Sequence, residues 1–364
     1  MSRSACGIVP ADGKILILRL SSIGDILLTT PLLRILRDRY PKARIDFVIK
    51  AKFLDLMRTN PHLDRLWPLH AEKGFAELRS LKRQLESVDY DVILDLHNNF
   101  RTAYLRTGLG APVFKLRKYK FKRFLLVKFG IDLYRRIRPV YLRYLDAAAA
   151  LGIGDDGRGL EFFIDPLEAE NITGYFQENG VLKSDLLFAV APGAGFAAKR
   201  WPQEYFVELL QKLLAEHSDA KVLLLGDQSD HSLCAAIAAA LPRGKAINSA
   251  GRLSLMGSAA ALSRCRLFIG NDTGLMHMAS ALKLPLVAIF GPTTRQLGFF
   301  PTGEQSRVVE HKTLSCRPCT HMGRPTCPQK HFKCMREITP DQIRPVVEEL
   351  LAETAHQQSG EFLQ

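Results

Sequence analysis

Two turns in the second half of this chain carry residue types suited to holding phosphate. Gly270-Asn271-Asp272-Thr273-Gly274 follows the apolar run Arg266 to Ile269 and opens a segment in which Leu275, Met276, Met278, Ala279 and Leu282 recur at helical spacing. Asp272 and Thr273 therefore fall where a strand ends and a helix begins. Backbone N–H groups there lack intrahelical partners and the helix dipole is positive, which suits a pyrophosphate. Asp and Thr are equally ordinary helix caps, so this turn alone does not decide between the two readings. The second turn, Pro192-Gly193-Ala194-Gly195-Phe196-Ala197-Ala198-Lys199-Arg200-Trp201-Pro202, lies between the strand-like Leu186 to Ala191 and an amphipathic segment from Gln203 to about His217. Its small residues let a backbone approach a ligand closely, while Lys199 and Arg200 offer cationic donors. Two such turns in one αβ half point to a nucleotide at the C-terminal edge of a parallel sheet. Near the start, Ser21-Ser22-Ile23-Gly24-Asp25 follows the strand-like Lys14 to Leu20 and presents a short carboxylate at a sheet edge. Asp25 there could serve as a base or as a helix cap.

The elements that must position these groups alternate strand and helix in both halves, the pattern of parallel sheets with right-handed crossovers. The first helix is expected to run to about Tyr40 with a kink near Pro31. The alternation divides the chain into an N-terminal Rossmann-like domain over 1–165 for a second substrate, a connection over 166–183, and a nucleotide-binding Rossmann-like domain over 184–345 that includes the Cys-rich segment 316–334. A C-terminal helix and frayed tail over 346–364 complete it. The length of 364 residues favours two domains over one. Among possible metal sites, Cys316-x-x-Cys319, Cys327 and Cys334 have the ligand count of a structural zinc centre, though not paired-knuckle spacing. Packed thiols are the alternative. The only Asp-x-Asp pair, Asp89-Tyr90-Asp91, precedes its strand and so lies at the wrong sheet edge for this chemistry.

Charge is unevenly distributed. Residues 101–143 hold thirteen Lys or Arg against the single acid Asp132, so nearly all of the net +13 resides there. Lys118, Lys120, Lys122 and Arg123 are interleaved with Phe, Tyr and Leu, a composition that fits a membrane surface or anionic ligand. Nucleic acid would call for a similar composition. No run of about 18 apolar residues occurs, which gives no candidate membrane span. The N-terminal MSRSACGIVPADG lacks a signal-length apolar segment, and the expected location is cytoplasmic.

In order and spacing, KILILRLSSIGDILLTTPLLR, DLHNNFRTA, APGAGFAAKRWP, LLLGDQSDH, GRLSLMG and GNDTGLMHMASALKLPLVAIFGPT resemble the ADP-heptose:lipopolysaccharide heptosyltransferases of glycosyltransferase family 9. The resemblance spans nearly the whole chain and is stronger to the second-heptose enzymes than to the first. It implies an α/β protein of GT-B architecture, with two doubly wound domains facing across a cleft. It also implies inverting, metal-independent transfer of heptose from ADP-L-glycero-D-manno-heptose to an anionic acceptor, lipid A with Kdo, at the cytoplasmic face of the inner membrane. On this likeness Asp25 is the general base, Lys199 lies beside the donor pyrophosphate, and Asp272 contacts the sugar nucleotide. Gly193, Thr273 and Gly274 bring backbone to the phosphates, Leu253 packs on adenine or in the core, and Asp230 meets the ribose. The acceptor falls to Gly24, His97, Asn98, Arg101, Lys118, Lys120, Lys122 and Arg123, with Asn98 alternatively a helix cap. No cofactor is required for transfer, and structural zinc is admitted at the four cysteines. Another nucleotide sugar or glycan acceptor is the competing enzyme reading; an RNA-binding protein on the same scaffold is the competing non-enzyme one, with nucleic acid the less favoured partner.

Overall fold

The computed structural model of the chain describes residues 9–361, with side chains described through residue 354. The N-terminal stretch read for a signal segment, and Cys6 within it, fall largely outside the described residues. By internal contacts the chain divides into two units, residues 1–119 with 138–163, and residues 120–137 with 164–364.

The first unit is built on β1 (Lys14–Leu18), β2 (Arg44–Lys50), β3 (Arg65–Leu69), β4 (Val92–Asp95) and β5 (Val113–Lys115), in the order β3-β2-β1-β4-β5. Every pairing is parallel. Chain order reverses direction between β1 and β4, and it is beyond the carboxyl ends of such a pair that doubly wound sheets open a crevice for ligands. Around this sheet stand α1 (Ile23–Leu27), α2 (Thr30–Arg39), α3 (Gly74–Glu86) and α4 (Phe100–Arg106). The basic stretch forms α5 (Lys120–Phe129), which groups with the second unit, and α6 (Val140–Ala147), which groups with the first.

The second unit orders its strands β11-β10-β9-β6-β7-β8. These are β6 (Leu186–Ala191), β7 (Ala220–Leu224), β8 (Ala246–Asn248), β9 (Leu267–Asn271), β10 (Leu286–Phe290) and β11 (Ser306–Glu310), again all parallel. The reversal here lies between β6 and β9. The helices are α7 (Pro166–Glu178), α8 (Gln203–Glu216), α9 (His231–Ala239), α10 (Leu255–Leu262), α11 (Gly274–Ala281), α12 (Lys333–Arg336) and α13 (Pro340–Glu361). Central strands β6, β9 and β10 are buried almost throughout, which is why their sequences read as continuous apolar runs. The core between this sheet and α8 and α13 is filled by Phe188, Val190, Trp201, Phe206, Leu210, Val287, Ile289, Ile343 and Val347.

Two local expectations change. The helix after β1 is interrupted at Leu28 and Thr29, and Pro31 sits in the first turn of α2, where its missing N–H has no intrahelical role to fill. The Ser21 to Asp25 segment, read as a connection after the strand, is helical from Ile23 onward, with Gly24 buried within α1.

Candidate active site

In the first unit, β1 and β4 deliver their loops side by side at the reversal point. Arg19, almost fully buried just past β1, donates from Nη1 to Leu96 O at 2.7 Å and places Nη2 2.6 Å from Asp25 Oδ1. Tyr144 of α6 donates its hydroxyl to the same Oδ1 at 3.3 Å, and its ring lies 5.5 Å from the Arg19 guanidinium carbon. Burial first, and then the Asp25 charge, push the Tyr144 phenol well above its ordinary range, so it remains a donor at neutral pH. Ser22 donates to Asp25 Oδ2 from Oγ at 3.0 Å and from N at 3.4 Å. Ser22 is thus the N-cap of α1, and Asp25 is the third helical residue, reaching back to it. The carboxylate is fixed from both sides while its side chain remains 21% exposed, which leaves an approach for a substrate hydroxyl.

His97 follows β4. Burial, and then the charges of Arg19 and Lys118, lower its pKa to about 3. It is therefore a neutral imidazole, with Nδ1 buried and without a hydrogen-bond partner, and supplies no positive charge to an acidic sugar. Cations stand nearby. Arg101 sits in the first turn of α4, and Lys50 ends β2 with its pKa lowered by burial, then by the charges of Arg101 and Lys52. Asn98 is not a cap. Its backbone is left-handed at φ 47°, its N–H donates to Asp95 Oδ1 at 2.6 Å, and its side chain donates to Leu116 O at 3.0 Å. The cap of α4 is Asn99, which accepts from Thr102 N at 3.0 Å. Beside Arg101 opens a cavity of about 500 Å³ lined by Leu69, Gly74, Phe75, Asn99 and Phe100. Asp91, by contrast, accepts from Lys14 N at 2.7 Å where β1 begins, at the opposite edge of the sheet.

In the second unit the two turns converge at the reversal between β6 and β9. Lys199 Nζ is 2.6 Å from Asp272 Oδ2, with side chains only 14% and 9% exposed. Thr293, after β10, donates to the same oxygen at 2.9 Å. Asn271, wholly buried, ties the turns together: Nδ2 donates to Pro192 O at 2.8 Å, and Oδ1 accepts from Trp201 N at 3.1 Å. Thr273 occupies the N-cap position of α11 without capping it through its side chain. Its Oγ1 and that of Thr294 are buried and lack hydrogen-bond partners, an arrangement that suits an anion at this helix start. Gly274 is the first residue of α11.

Asp230 sits one strand away. A Cβ at Gly193 would lie 2.2 Å from its carboxylate, so glycine is required there by Asp230 itself. Burial, then the charge of Asp227, raise the pKa of Asp230, and Oδ1 is buried without a hydrogen-bond partner. Arg200 Nη2 approaches that oxygen at 3.6 Å. Leu253, read as an adenine contact or core, is half-buried in the loop before α10 and outside the core cluster.

The cysteine-rich loop does not present a ligand set: among the described residues no group of three or more His, Cys, Asp or Glu is placed to hold a metal ion. Cys316 Sγ lies 3.9 Å from His331 Nε2, and burial pushes the Cys334 thiol up to about 12. The loop is organised instead by Arg317, whose nearly buried guanidinium donates to Phe290 O, Gly291 O, Thr293 O and His311 O and pairs with Glu310. Arg324 O, further along, accepts from Ala198 N at 3.1 Å, so this loop braces both Thr293 and the Lys199 turn.

Residues 78–330 match the family described as glycosyltransferase family 9 (heptosyltransferase). The chain belongs to this family. It is therefore a glycosyltransferase. Family-9 relatives include lipopolysaccharide heptosyltransferase 2 of Salmonella typhimurium, 28% identical over 93% of this chain and 99% of that protein. The Escherichia coli enzyme of the same name is 30% identical over 81% of this chain and 87% of its own length. A solved family-9 structure from Veillonella parvula superimposes with TM-score 0.79 at 25% identity, covering 94% of this chain and 98% of that one. The structure of E. coli ADP-heptose lps heptosyltransferase II gives 0.75 at 25% identity, over 94% and 99%. Two doubly wound parallel units are thus the family's GT-B fold. Asp25 lies outside the span matched by the family, 78–330.

Lys199 and Asp272 are brought together, as are Gly193 and Asp230, while Lys118 and the α5 cations Lys120, Lys122 and Arg123 fall in different units. Sequence reasoning missed Arg19, Lys50, Tyr144, Thr293 and Arg317. Lys50 and Thr293 had a usable signal, since both follow the C-terminal end of a strand-like run. Tyr144 and Arg317 had none.

Proposed function

We propose that this chain transfers heptose from ADP-heptose to the inner core of lipopolysaccharide by a single inverting displacement, working at the cytoplasmic face of the inner membrane. The observation that carries this reading is the Lys199–Asp272 pair at 2.6 Å beside the start of α11, at the chain reversal of the second sheet. An ammonium and unpaired backbone N–H groups at that point match the charge that develops on a departing diphosphate. Preorganised donors of this kind contribute several kcal/mol to barrier lowering. They supply what a metal ion would otherwise supply, and transfer is expected to proceed in EDTA.

In this mechanism Asp25 takes the proton of the acceptor hydroxyl as its oxygen attacks the anomeric carbon, and ADP leaves on Lys199, Thr273 and Gly274. Arg19, Tyr144 and Ser22 hold Asp25 in one orientation. Asp230 and Leu253 are assigned to the nucleoside of the donor. Gly24, His97, Asn98, Arg101 and Lys118 are assigned to the acceptor, with the positive charge provided by Lys118, Arg101 and the additional Lys50. A different nucleotide sugar is the reading to exclude, because a half-buried leucine and one carboxylate do not by themselves select a base.

The test is transfer from ADP-heptose, with EDTA present, to inner-core lipid acceptors carrying zero or one heptose. Wild type is compared with Asp25→Asn, which keeps the size of the side chain and a partner for Arg19. Transfer to one acceptor by wild type, with a drop of at least about a hundredfold in the variant, supports the assignment. Retained activity in Asp25→Asn would remove Asp25 as the base, and no transfer to either acceptor would send the search to other sugar nucleotides.

A further inference from the structure

Six of the eleven large apolar side chains exposed among the described residues lie within residues 121–137: Phe121, Phe124, Phe129, Ile131, Leu133 and Ile137. Phe121, Phe124 and Phe129 of α5 are 68%, 55% and 59% exposed. On α5, Phe121, Phe124 and Lys128 share one helical face, and Leu126, the buried residue of the helix, lies on the other. The Phe124 and Phe129 rings pack edge to face with centroids 5.8 Å apart, so the apolar surface is continuous around the end of the helix. Residues 120–137 also carry six cations, Lys120, Lys122, Arg123, Lys128, Arg135 and Arg136, against Asp132 alone. That acid is engaged by Gln296, whose Nε2 donates to it at 3.1 Å.

We propose that α5 and the chain following it, through Ile137, form an interfacial anchor that inserts Phe121, Phe124, Phe129 and Ile131 into a bilayer containing anionic phospholipid. Exposed aromatic and aliphatic groups flanked by unbalanced cations are what such an interface requires: the apolar side chains enter the acyl boundary and the cations meet headgroup phosphates. Single-stranded nucleic acid would use stacking platforms, yet Ile131, Leu133 and Ile137 offer no π-face. A second copy of the same face would set six cations against six. Lys120, Lys122 and Arg123 are thereby reassigned from acceptor sugar to phospholipid headgroups. The choice of a bilayer rests on the reading of the substrate as a membrane lipid, but the anchor needs no lipopolysaccharide to bind.

Flotation of the full chain with vesicles rich in phosphatidylglycerol, free of lipopolysaccharide, tests the anchor against phosphatidylcholine vesicles. Wild type is expected to float with the anionic vesicles and to be released by salt. The triple variant Phe121→Ser, Phe124→Ser, Phe129→Ser should lose roughly a hundredfold or more in apparent partitioning. Lys128→Glu with Arg136→Glu should erase the preference for anionic lipid. All five positions are exposed, so melting temperature and transfer to a deacylated, water-soluble acceptor should be unchanged. Absence of flotation, or equal flotation by the triple variant, overturns the anchor. So does an RNA shift or self-association that requires the same phenylalanines in place of vesicle binding. Failed flotation with intact transfer would remove the anchor alone; flotation with no transfer to any acceptor would remove the heptosyltransferase reading and leave the anchor standing.

Discussion

Replacing Lys199 with alanine deprives Asp272 of its counter-ion. The carboxylate is only 9% exposed and retains a single hydrogen bond, from Thr293 at 2.9 Å. Breaking one side of a buried pair costs about 3–5 kcal/mol, because the remaining charge stays desolvated. The residual Thr293 bond and some entry of water offset part of this, so a loss of about 2–3 kcal/mol is expected. In a unit of this size each kcal/mol shifts the melting temperature by roughly 2–4 °C, giving a drop of about 5–10 °C by circular dichroism. Neutralising the partner should restore it. The double variant Lys199→Ala, Asp272→Asn is expected to melt within about 3 °C of Asp272→Asn alone, a coupling of about 2 kcal/mol in a double-mutant cycle. Activity should behave differently. Loss of the cation at the leaving diphosphate is expected to lower kcat by about a hundred- to a thousandfold, and the second substitution cannot return it. Stability effects that add within about 0.5 kcal/mol, or a Lys199→Ala enzyme with kcat within about threefold of wild type, would refute the assignment of one lysine to both roles.

Gly193→Ala would put a methyl group 2.2 Å from the Asp230 carboxylate; a stability loss of about 1–3 kcal/mol and weaker ADP binding by calorimetry are expected. Adding Asp230→Ala should recover the stability but not the binding. Because burial raises the Asp230 pKa, its ionised form opposes folding above that pKa. Stability from this group is therefore greatest below the ordinary Asp value and is lost as pH rises through the raised one. Asp230→Asn should thus melt higher than wild type at neutral pH, with the gap closing as pH falls through the raised pKa. Arg317→Ala would leave four carbonyls and Glu310 without their shared donor, and a fall in melting temperature of more than about 5 °C is expected. Since Arg317 braces the Thr293 turn, kcat should fall with it, whereas Arg324→Ala, whose backbone makes the contact to Ala198, should change neither much.

Tyr144 illustrates why the site in the first unit is harder to read than the one in the second. Asp25 and Ser22 are three residues apart, so their mutual capping is a local matter. The third contact comes from α6, a hundred and nineteen residues on, through a tyrosine that looks like any other core aromatic in sequence. His97 shows the same limit in electrostatics. Its position after β4 was legible, but its neutrality follows from burial and from Arg19 and Lys118, which reach it from the ends of two other strands. The cysteine segment shows the reverse case, in which a spacing suggestive of metal belongs to a loop organised by an arginine.

By itself the sequence determined the strand–turn–helix alternation, the two phosphate-type turns and the carboxylate after the first strand. It could do so because buried parallel strands are apolar without interruption and helices repeat every three to four residues, both of which are local properties. Strand order was left to the tertiary structure. Placing β6 between β7 and β9 is what sets Gly193 against Asp230 on one side and Asn271 against Pro192 on the other. α5 and its cations group with the second unit, whereas Lys118, their near neighbour in sequence, groups with the first. Such contacts join residues tens of positions apart, and their free energies depend on burial and dielectric surroundings that exist only once the sheets have assembled.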